Sequence, residues 1–402
     1  MIVADKIKIV LSIFLSAAWR NVPDLALLAF VLLAQAAGVY FLLQGATARR
    51  QEWIRPLILV SAGISGILLI LGFLLTFDRV GQHFSVWKGS WIRGSAMIWA
   101  MLWILWTGAW LLWRGLAAAL KPASSPGRRG FLKASGAALF VAPLAVTGYG
   151  IFVQRLNIRM REQNIVIPGL AEDLEGIRIV QLSDIHLGPF LSERELAHAV
   201  AMANETYAHL ALVTGDMISF HRDPLDICLK HLSGLRAEAG IFGCLGNHEV
   251  YAKVEDYATE QGARLGIHYL RSEAARLKFG GATMNLAGVD YQRFHKPYLK
   301  GAEKMIEPGI LNVLMSHNPD VFPVAARQGY DLTIAGHTHG GQVRVEILRE
   351  DLNVARFFTK YVDGLYREGG RSIFVSRGIG TIGLPVRLGA PPEVALLRLC
   401  RS

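Results

Sequence analysis

The stretch Ile177-Arg178-Ile179-Val180-Gln181-Leu182-Ser183-Asp184-Ile185-His186 runs as an apolar, β-branched strand into a carboxylate and an imidazole. Four further apolar runs end in the same manner: Leu210 to Thr214 at Gly215-Asp216, Gly240 to Leu245 at Gly246-Asn247-His248-Glu249, Leu311 to Met315 at Ser316-His317, and Leu332 to Ala335 at Gly336-His337-Thr338-His339. Runs this short and this apolar predict buried strands. Helical patterns separate them: Ser192 with Glu195 forms a capping box for a helix reaching about Thr206, and Pro319 to Gln328 reads as another. Alternating strands and helices predict an α/β layered domain whose functional groups gather at the carboxyl ends of its strands. On that topology the five motifs converge.

Two carboxylates, one amide and several imidazoles form a donor set for a pair of divalent metal ions. Hard oxygens with neutral imidazoles suit Mn, Fe or Zn ions better than Ca²⁺. Singly, Asp184-x-His186 or Gly215-Asp216 is an ordinary turn or strand end; five such motifs in order, each closing a strand, specify a metal site. In this order they resemble the calcineurin-like metallophosphoesterases, whose motifs run D-x-H, G-D, G-N-H-[DE], H and G-H-x-H. The resemblance extends roughly from Ile177 to Leu399. Within it, Ser316-His317-Asn318-Pro319-Asp320, His337-Thr338-His339-Gly340-Gly341-Gln342, Ser376-Arg377-Gly378 and Leu384-Pro385-Val386-Arg387 are similar to the bacterial membrane-associated branch.

That resemblance implies two packed β-sheets flanked by helices, a four-layer sandwich. It implies one ion on Asp184, His186 and His339 and another on Asn247, His317 and His337, with Asp216 bridging both and His248 facing the substrate as the catalytic residue. Two ions about 3.5 to 4 Å apart polarise a phosphoryl group, lower the pKa of a bridging water and stabilise the leaving oxygen. The implied reaction is in-line attack of metal-bound hydroxide on phosphorus. One position departs from many relatives: Ser219 stands where they carry an acid that orients the histidine of G-N-H, and a serine cannot stabilise an imidazolium as a carboxylate does. His198, His209, His221, His231, His268 and His295 lack motif context and read as surface or satisfied core residues, and His83 as part of a membrane loop.

Residues 1–155 are a different kind of chain. All nine Trp residues fall between Trp19 and Trp113. Leu25 to Leu43, Leu57 to Phe77, Ile92 to Trp113 and Phe131 to Val153 each approach or exceed the ~20 residues that span hydrocarbon, predicting four transmembrane helices ahead of a catalytic domain at 156–402. Ile7 to Trp19 is a fifth span or an interfacial helix, with the span favoured because it leaves Lys6 and Lys8 inside. Trp99, Trp103, Trp106 and Trp110 share a helix face and read as a packing or lipid-facing stripe.

Net charge is +11 before Leu156 and −1 after it, so the basic balance belongs to membrane flanks and gives no case for nucleic acid binding. Arg49, Arg50 and Arg55 mark one cytoplasmic loop, and Arg114, Lys121, Arg128, Arg129 and Lys133 another. The following span then runs outward. Arg128-Arg129-Gly130-Phe131-Leu132-Lys133 also resembles the twin-arginine export signal, making that export machinery a candidate partner. Lys121 to Gly127 reads as a linker, and Cys228, Cys244 and Cys400 provide no disulfide framework.

These features predict a membrane-anchored two-metal phosphoesterase, multi-pass in a bacterial cytoplasmic membrane, with its catalytic domain on the outer face. Membrane lipids and a phosphorylated envelope or lipid-linked substrate, a diester or pyrophosphate, are the expected partners. The alternatives are a cytoplasmic-facing pyrophosphatase of the UDP-2,3-diacylglucosamine type and a non-catalytic membrane scaffold or sensor.

Overall fold

The apolar N-terminal runs form long helices: α1 (Val22–Ala48), α2 (Arg55–Leu74), α3 (Val86–Ala119) and α4 (Pro126–Phe152). The computed structural model describes residues 22–48, 52–74, 86–119, 126–221, 223–292, 298–347 and 350–402. Ile7 to Trp19, Phe77, His83, His295 and the basic residues Lys6, Lys8, Arg49, Arg50, Arg79 and Lys121 lie outside the described residues. The chain divides into two compact units at Gly148/Tyr149.

Among the described residues, three stretches are long and apolar enough to cross a membrane: Glu52–Leu74, Lys88–Gly115 and Ala134–Leu156. The first expected span appears as a shorter apolar stretch, Leu28–Gln44, within α1. Polar groups tie α1, α2 and α3 together: Trp99 Nε1 donates to Ser65 Oγ (2.6 Å), Ser65 Oγ donates to Gln35 Oε1 (2.7 Å), and Gln35 Nε2 donates to Ala62 O (2.7 Å). Such bonds between apolar helices supply the specificity that hydrophobicity cannot provide in lipid. The tryptophan stripe packs internally, Trp99, Trp103 and Trp106 edge to face and Trp110 against Phe41 with centroids 4.5 Å apart. Leu33, Leu57, Ile64 and Ile67 remain exposed, an apolar surface that suits lipid. The segment 128–133 falls in the first turns of α4, which also takes up Pro126 and Gly127 of the expected linker.

In the second unit, β1 (Arg159–Ile167), β2 (Arg178–Leu182), β3 (Leu210–Thr214), β4 (Ile241–Cys244), β5 (Ile267–Tyr269) and β14 (Glu393–Arg401) form one sheet in the order β1-β14-β2-β3-β4-β5. The strands β6 (Glu273–Phe279), β7 (Ala282–Gly288), β8 (Leu311–Met315), β9 (Leu332–Ala335), β12 (Gly364–Glu368) and β13 (Arg371–Val375) form a second, ordered β12-β13-β9-β8-β7-β6. A hairpin, β10 (Arg344–Ile347) with β11 (Glu350–Asn353), stands apart from both.

The apolar runs are continuous because each inner strand is buried on both faces. Ile179, Leu210 and Leu212 join Val313, Ile334 and Leu397 in a core between the sheets, whereas Val180, Leu182, Ala211 and Val213 face a core shared with helices. The expected helix after Ser192 is α5 (Glu193–Asn204), with the capping box formed and Leu196, Ala199, Val200 and Ala203 buried at i, i+3, i+4 and i+7. On the opposite flank Pro319 to Gln328 is a 3₁₀ turn followed by a helix, Phe322–Gln328. Helices, sheet, sheet and helices make the expected four layers.

Candidate metal centre

All five motifs sit directly after β2, β3, β4, β8 and β9, at the carboxyl ends of strands drawn from both sheets. Asp184, His186, Asp216, His337 and His339 all take left-handed backbone, with φ of 50°, 48°, 54°, 78° and 53°. For residues other than glycine this costs about 1 to 3 kcal/mol each and persists where the surroundings over-determine it. The motif glycines permit close approach. A Cβ on Gly246 would lie 2.1 Å from Asp216 Oδ1, and one on Gly336 would lie 2.0 Å from Ser183 Oγ and 2.3 Å from Asp184 Oδ2.

Three groups of potential metal donors result: Asp184, His186 and His339; His186, Asp216 and His248; Asp216, His317 and His337. His186 Nε2 lies 3.1 Å from His339 Nε2 and 3.7 Å from Asp216 Oδ2, while His317 Nε2 lies 3.0 Å from the same Asp216 oxygen. Asp184 Oδ1 is 3.5 Å from His339 Nε2 and accepts from the His337 amide at 2.9 Å. The outward ring nitrogens are engaged: His317 Nδ1 meets Thr214 O at 2.7 Å and His186 Nδ1 meets Ser219 Oγ at 2.9 Å. A carbonyl only accepts, so the His317 proton sits on Nδ1, which is how such contacts orient metal-binding imidazoles.

Burial and the mutual field of these groups set their charges. Burial, helped by the neighbouring imidazoles, lowers His186 to about 3 and His337 to about 4, and lowers His339 further still. Burial raises Asp184 to about 6, with His317 pulling the other way. For His317 burial is outweighed by the Asp216 carboxylate, which raises it to about 10, and His317 in turn holds Asp216 well below the usual carboxylate range. Without metal, His317 and Asp216 form an ion pair; three uncharged imidazoles surround it.

The donor set fits divalent cations. Asn247 Oδ1 is buried with no hydrogen-bond partner, while the next residue's amide, His248 N, donates to Asp216 Oδ1 at 2.9 Å. A buried carbonyl oxygen that no donor reaches is satisfied by a cation.

Comparison with known proteins agrees with this geometry. The calcineurin-like phosphoesterase family model matches residues 177–341. An uncharacterized metallophosphoesterase of Helicobacter pylori is 30% identical over 267 residues, covering 64% of this chain and 68% of the relative. The chain belongs to the calcineurin-like metallophosphoesterase family. It is thus a metal-dependent phosphoesterase. YkuE, an uncharacterized metallophosphoesterase of Bacillus subtilis, is 27% identical over 68% of this chain and 97% of its own length. A transmembrane protein with metallophosphoesterase domain from Danio rerio is 27% identical over 64% of this chain and 60% of that protein. Such a relative and the apolar helices associate this metallophosphoesterase with membranes.

Three residues shape the site in ways the sequence did not assign: Glu249 and Arg387 lie within quoted motifs but without a role, and Tyr291 lies outside them. Glu249, fully buried, accepts from the amides of Gly246, Asp216 and Met217 and so fastens two motif loops together. Tyr291 places its ring 5.7 Å from that of His337 and 6.2 Å from that of His317; it follows β7, whose end lies beside that of β8. Arg387 is buried, forms no ion pair among the described residues, and donates to the carbonyls of His339, Ala390, Arg377, Gly378 and Gly380. Ser219 also departs from expectation: its carbonyl, at 2.8 Å from His248 Nδ1, orients the histidine that its side chain was not expected to hold. His209 and His221 are satisfied by Arg178 N and Ala252 O, as expected of bystanders.

Proposed function

We propose that this protein is a membrane-anchored, two-metal phosphoesterase that hydrolyses a phosphodiester or pyrophosphate in an envelope or lipid-linked substrate. The bare Asn247 Oδ1, next in sequence to the His248 amide that holds the Asp216 carboxylate, carries the reading, because a buried unpartnered carbonyl costs about 1 to 3 kcal/mol unless a cation supplies the missing partner. In this assignment Asp184, His186 and His339 hold one ion and Asn247, His317 and His337 the other. Asp216 lies between them. Two divalent ions bound there would be Mn, Fe or Zn and would supply Lewis acidity to the phosphoryl group and an acidified water.

The chain's own residues do the rest. Ser219 O fixes the His248 proton on Nδ1, leaving Nε2 to approach the leaving oxygen of the substrate. Tyr291 walls the His317 and His337 side. The Asp216 carboxylate stays ionised beside them, ready to hold cations.

Substrate class is argued from the anchor. The apolar stretch Ala134–Leu156 runs into the second unit, where Phe152 and Val153 stay exposed and Gly150 O accepts from Arg387 N at 3.2 Å. Arg387 also holds the His339 carbonyl, so one hydrogen-bonded segment serves both the end of the anchor and the centre. That continuity favours a substrate held at the membrane. We place the unit on the outer face, reached with the twin-arginine machinery reading Arg128 to Lys133.

The test uses the full chain in detergent micelles, with metal content measured alongside hydrolysis of bis-p-nitrophenyl phosphate, a nucleotide-linked lipid and p-nitrophenyl phosphate. Two metal equivalents and faster turnover of diester or pyrophosphate than of monoester are expected. Metal-independent activity or a monoester preference would contradict the reading.

A further inference from the structure

Ser219 supports two histidines at once, one by its side chain and one by its backbone. Its hydroxyl meets His186 Nδ1 at 2.9 Å, and its carbonyl meets His248 Nδ1 at 2.8 Å. What fixes this loop is Asp223, whose Oδ2 accepts from Ser219 N and Phe220 N, both at 2.8 Å. The turn is closed from the other side by Asp223 N, which donates to Phe220 O at 2.9 Å. Asp223 is itself buried, its Oδ1 has no hydrogen-bond partner, and a Cβ on Gly188 would lie 3.2 Å from that oxygen.

We propose that Asp223 is the positioning residue for His248, acting through the Ser219 carbonyl, while the Ser219 hydroxyl separately orients His186. The claim rests on the reading above that His248 serves the leaving oxygen. The acid missing at position 219 is thereby replaced four residues later, and its effect on the imidazole passes through a peptide group. Because a carbonyl accepts but cannot donate, the arrangement keeps one proton on His248 Nδ1 and directs Nε2 at substrate; the donating form carries a second proton on Nε2, and giving it to the leaving oxygen leaves the Nδ1-protonated tautomer. The two arms of Ser219 are separable at the hydroxyl, because removing it spares the carbonyl.

The experiment uses the purified full chain with bis-p-nitrophenyl phosphate, which has a good leaving group, and glycerophosphoethanolamine, whose alkoxide leaves poorly. Asp223→Ala is expected to lower kcat on the alkyl diester at least about tenfold, within the range general acid catalysis provides. Loss on the aryl diester should be under about threefold, with KM and metal content unchanged. Asp223→Asn retains an acceptor oxygen for both amides and should restore the alkyl rate. In a His248→Ala background, Asp223→Ala should add nothing. Ser219→Ala should instead weaken metal binding about tenfold, as loss of an outer contact to a ligand does, without changing the ratio of the two rates.

Equal losses on both substrates, metal loss in Asp223→Ala, or failure of Asn to rescue would overturn the proposal. If Asp223→Ala does not fold, ¹⁵N spectra of the imidazoles in the wild-type chain decide: His248 protonated on Nδ1 supports it, and protonation on Nε2 alone refutes it. Absence of any wild-type phosphoesterase activity would sink the functional reading instead, with the tautomer measurement still standing.

Discussion

The Arg387 amide donates to Gly150 O at 3.2 Å, and its buried guanidinium reaches the His339 carbonyl at 3.3 Å. Burial lowers Arg387 to about 10, which still leaves it charged at neutral pH. Its charge is solvated chiefly by backbone carbonyls, with the Asp184 and Glu393 carboxylates acting on it from further away. Replacing it by Met should therefore leave several buried carbonyls bare at about 1 to 3 kcal/mol each and lower the melting temperature of the domain by roughly 10 °C. Thermal unfolding with and without added metal checks this; the shift should be larger with metal, because His339 loses its support. An unchanged melting temperature would remove Arg387 from the account.

Metal-free protein should lose stability as pH falls. His186 and His337, with folded values of about 3 and 4 against an unfolded value near 6.5, bind fewer protons when folded. Stability from each is complete above about 6.5 and declines as pH falls toward its folded value. Asp184, raised to about 6, acts in the opposite sense between roughly 4 and 6, as do Glu249 and Asp223, which burial also raises, and His317, raised to about 10, whose stabilisation is lost only as pH rises above about 6.5; between pH 7 and 5 the three lowered imidazoles, His339 included, set the sign. Chelator-treated protein should thus melt at lower temperature at pH 5 than at pH 7. A melting temperature that rises toward pH 5 would show that the imidazoles are not buried in neutral form.

Topology is tested separately. A reporter active only outside the cytoplasmic membrane, fused after Ser402, should be active. An inactive reporter, paired with a cytoplasmic one that works, would favour the alternative of a cytoplasmic-facing pyrophosphatase. Changing Arg128 and Arg129 to Lys keeps the charge and loses the guanidinium fork, so export should fall if the twin-arginine machinery reads them. Unchanged export would reduce the pair to an ordinary cytoplasmic flank.

What the sequence revealed follows from where its chemistry is local. The strands 210–214, 311–315 and 332–335 are found with the expected bounds because each is apolar on both faces and ends at a motif. By contrast β6, exposed at most of its positions, carries no comparable pattern, and β14 enters between β1 and β2 through pairing with residues far away in the chain. The site divides the same way. Motif residues converge as their strand ends predict, but Tyr291 and Arg387 reach the site from loops far away in the chain, and Asp223 meets the Ser219 loop through backbone amides that no side-chain pattern marks. Ser219 shows the limit most clearly: comparing side chains predicts a lost support for His248, whereas the support comes from a backbone carbonyl that every residue possesses.

Asp216 is the residue on which both halves of the centre depend, since one of its oxygens lies 3.0 Å from His317 Nε2 and 3.7 Å from His186 Nε2. The most direct test is therefore the metal content and bis-p-nitrophenyl phosphate turnover of full-length Asp216→Asn, measured on the same preparation beside the wild type. Two metal equivalents with turnover in the wild type, and in the variant reduced occupancy at both positions with turnover lost by about a thousandfold or more, is the expected result. Two retained metals with full activity in the variant would contradict the bridging role of Asp216 and, with it, the two-metal centre.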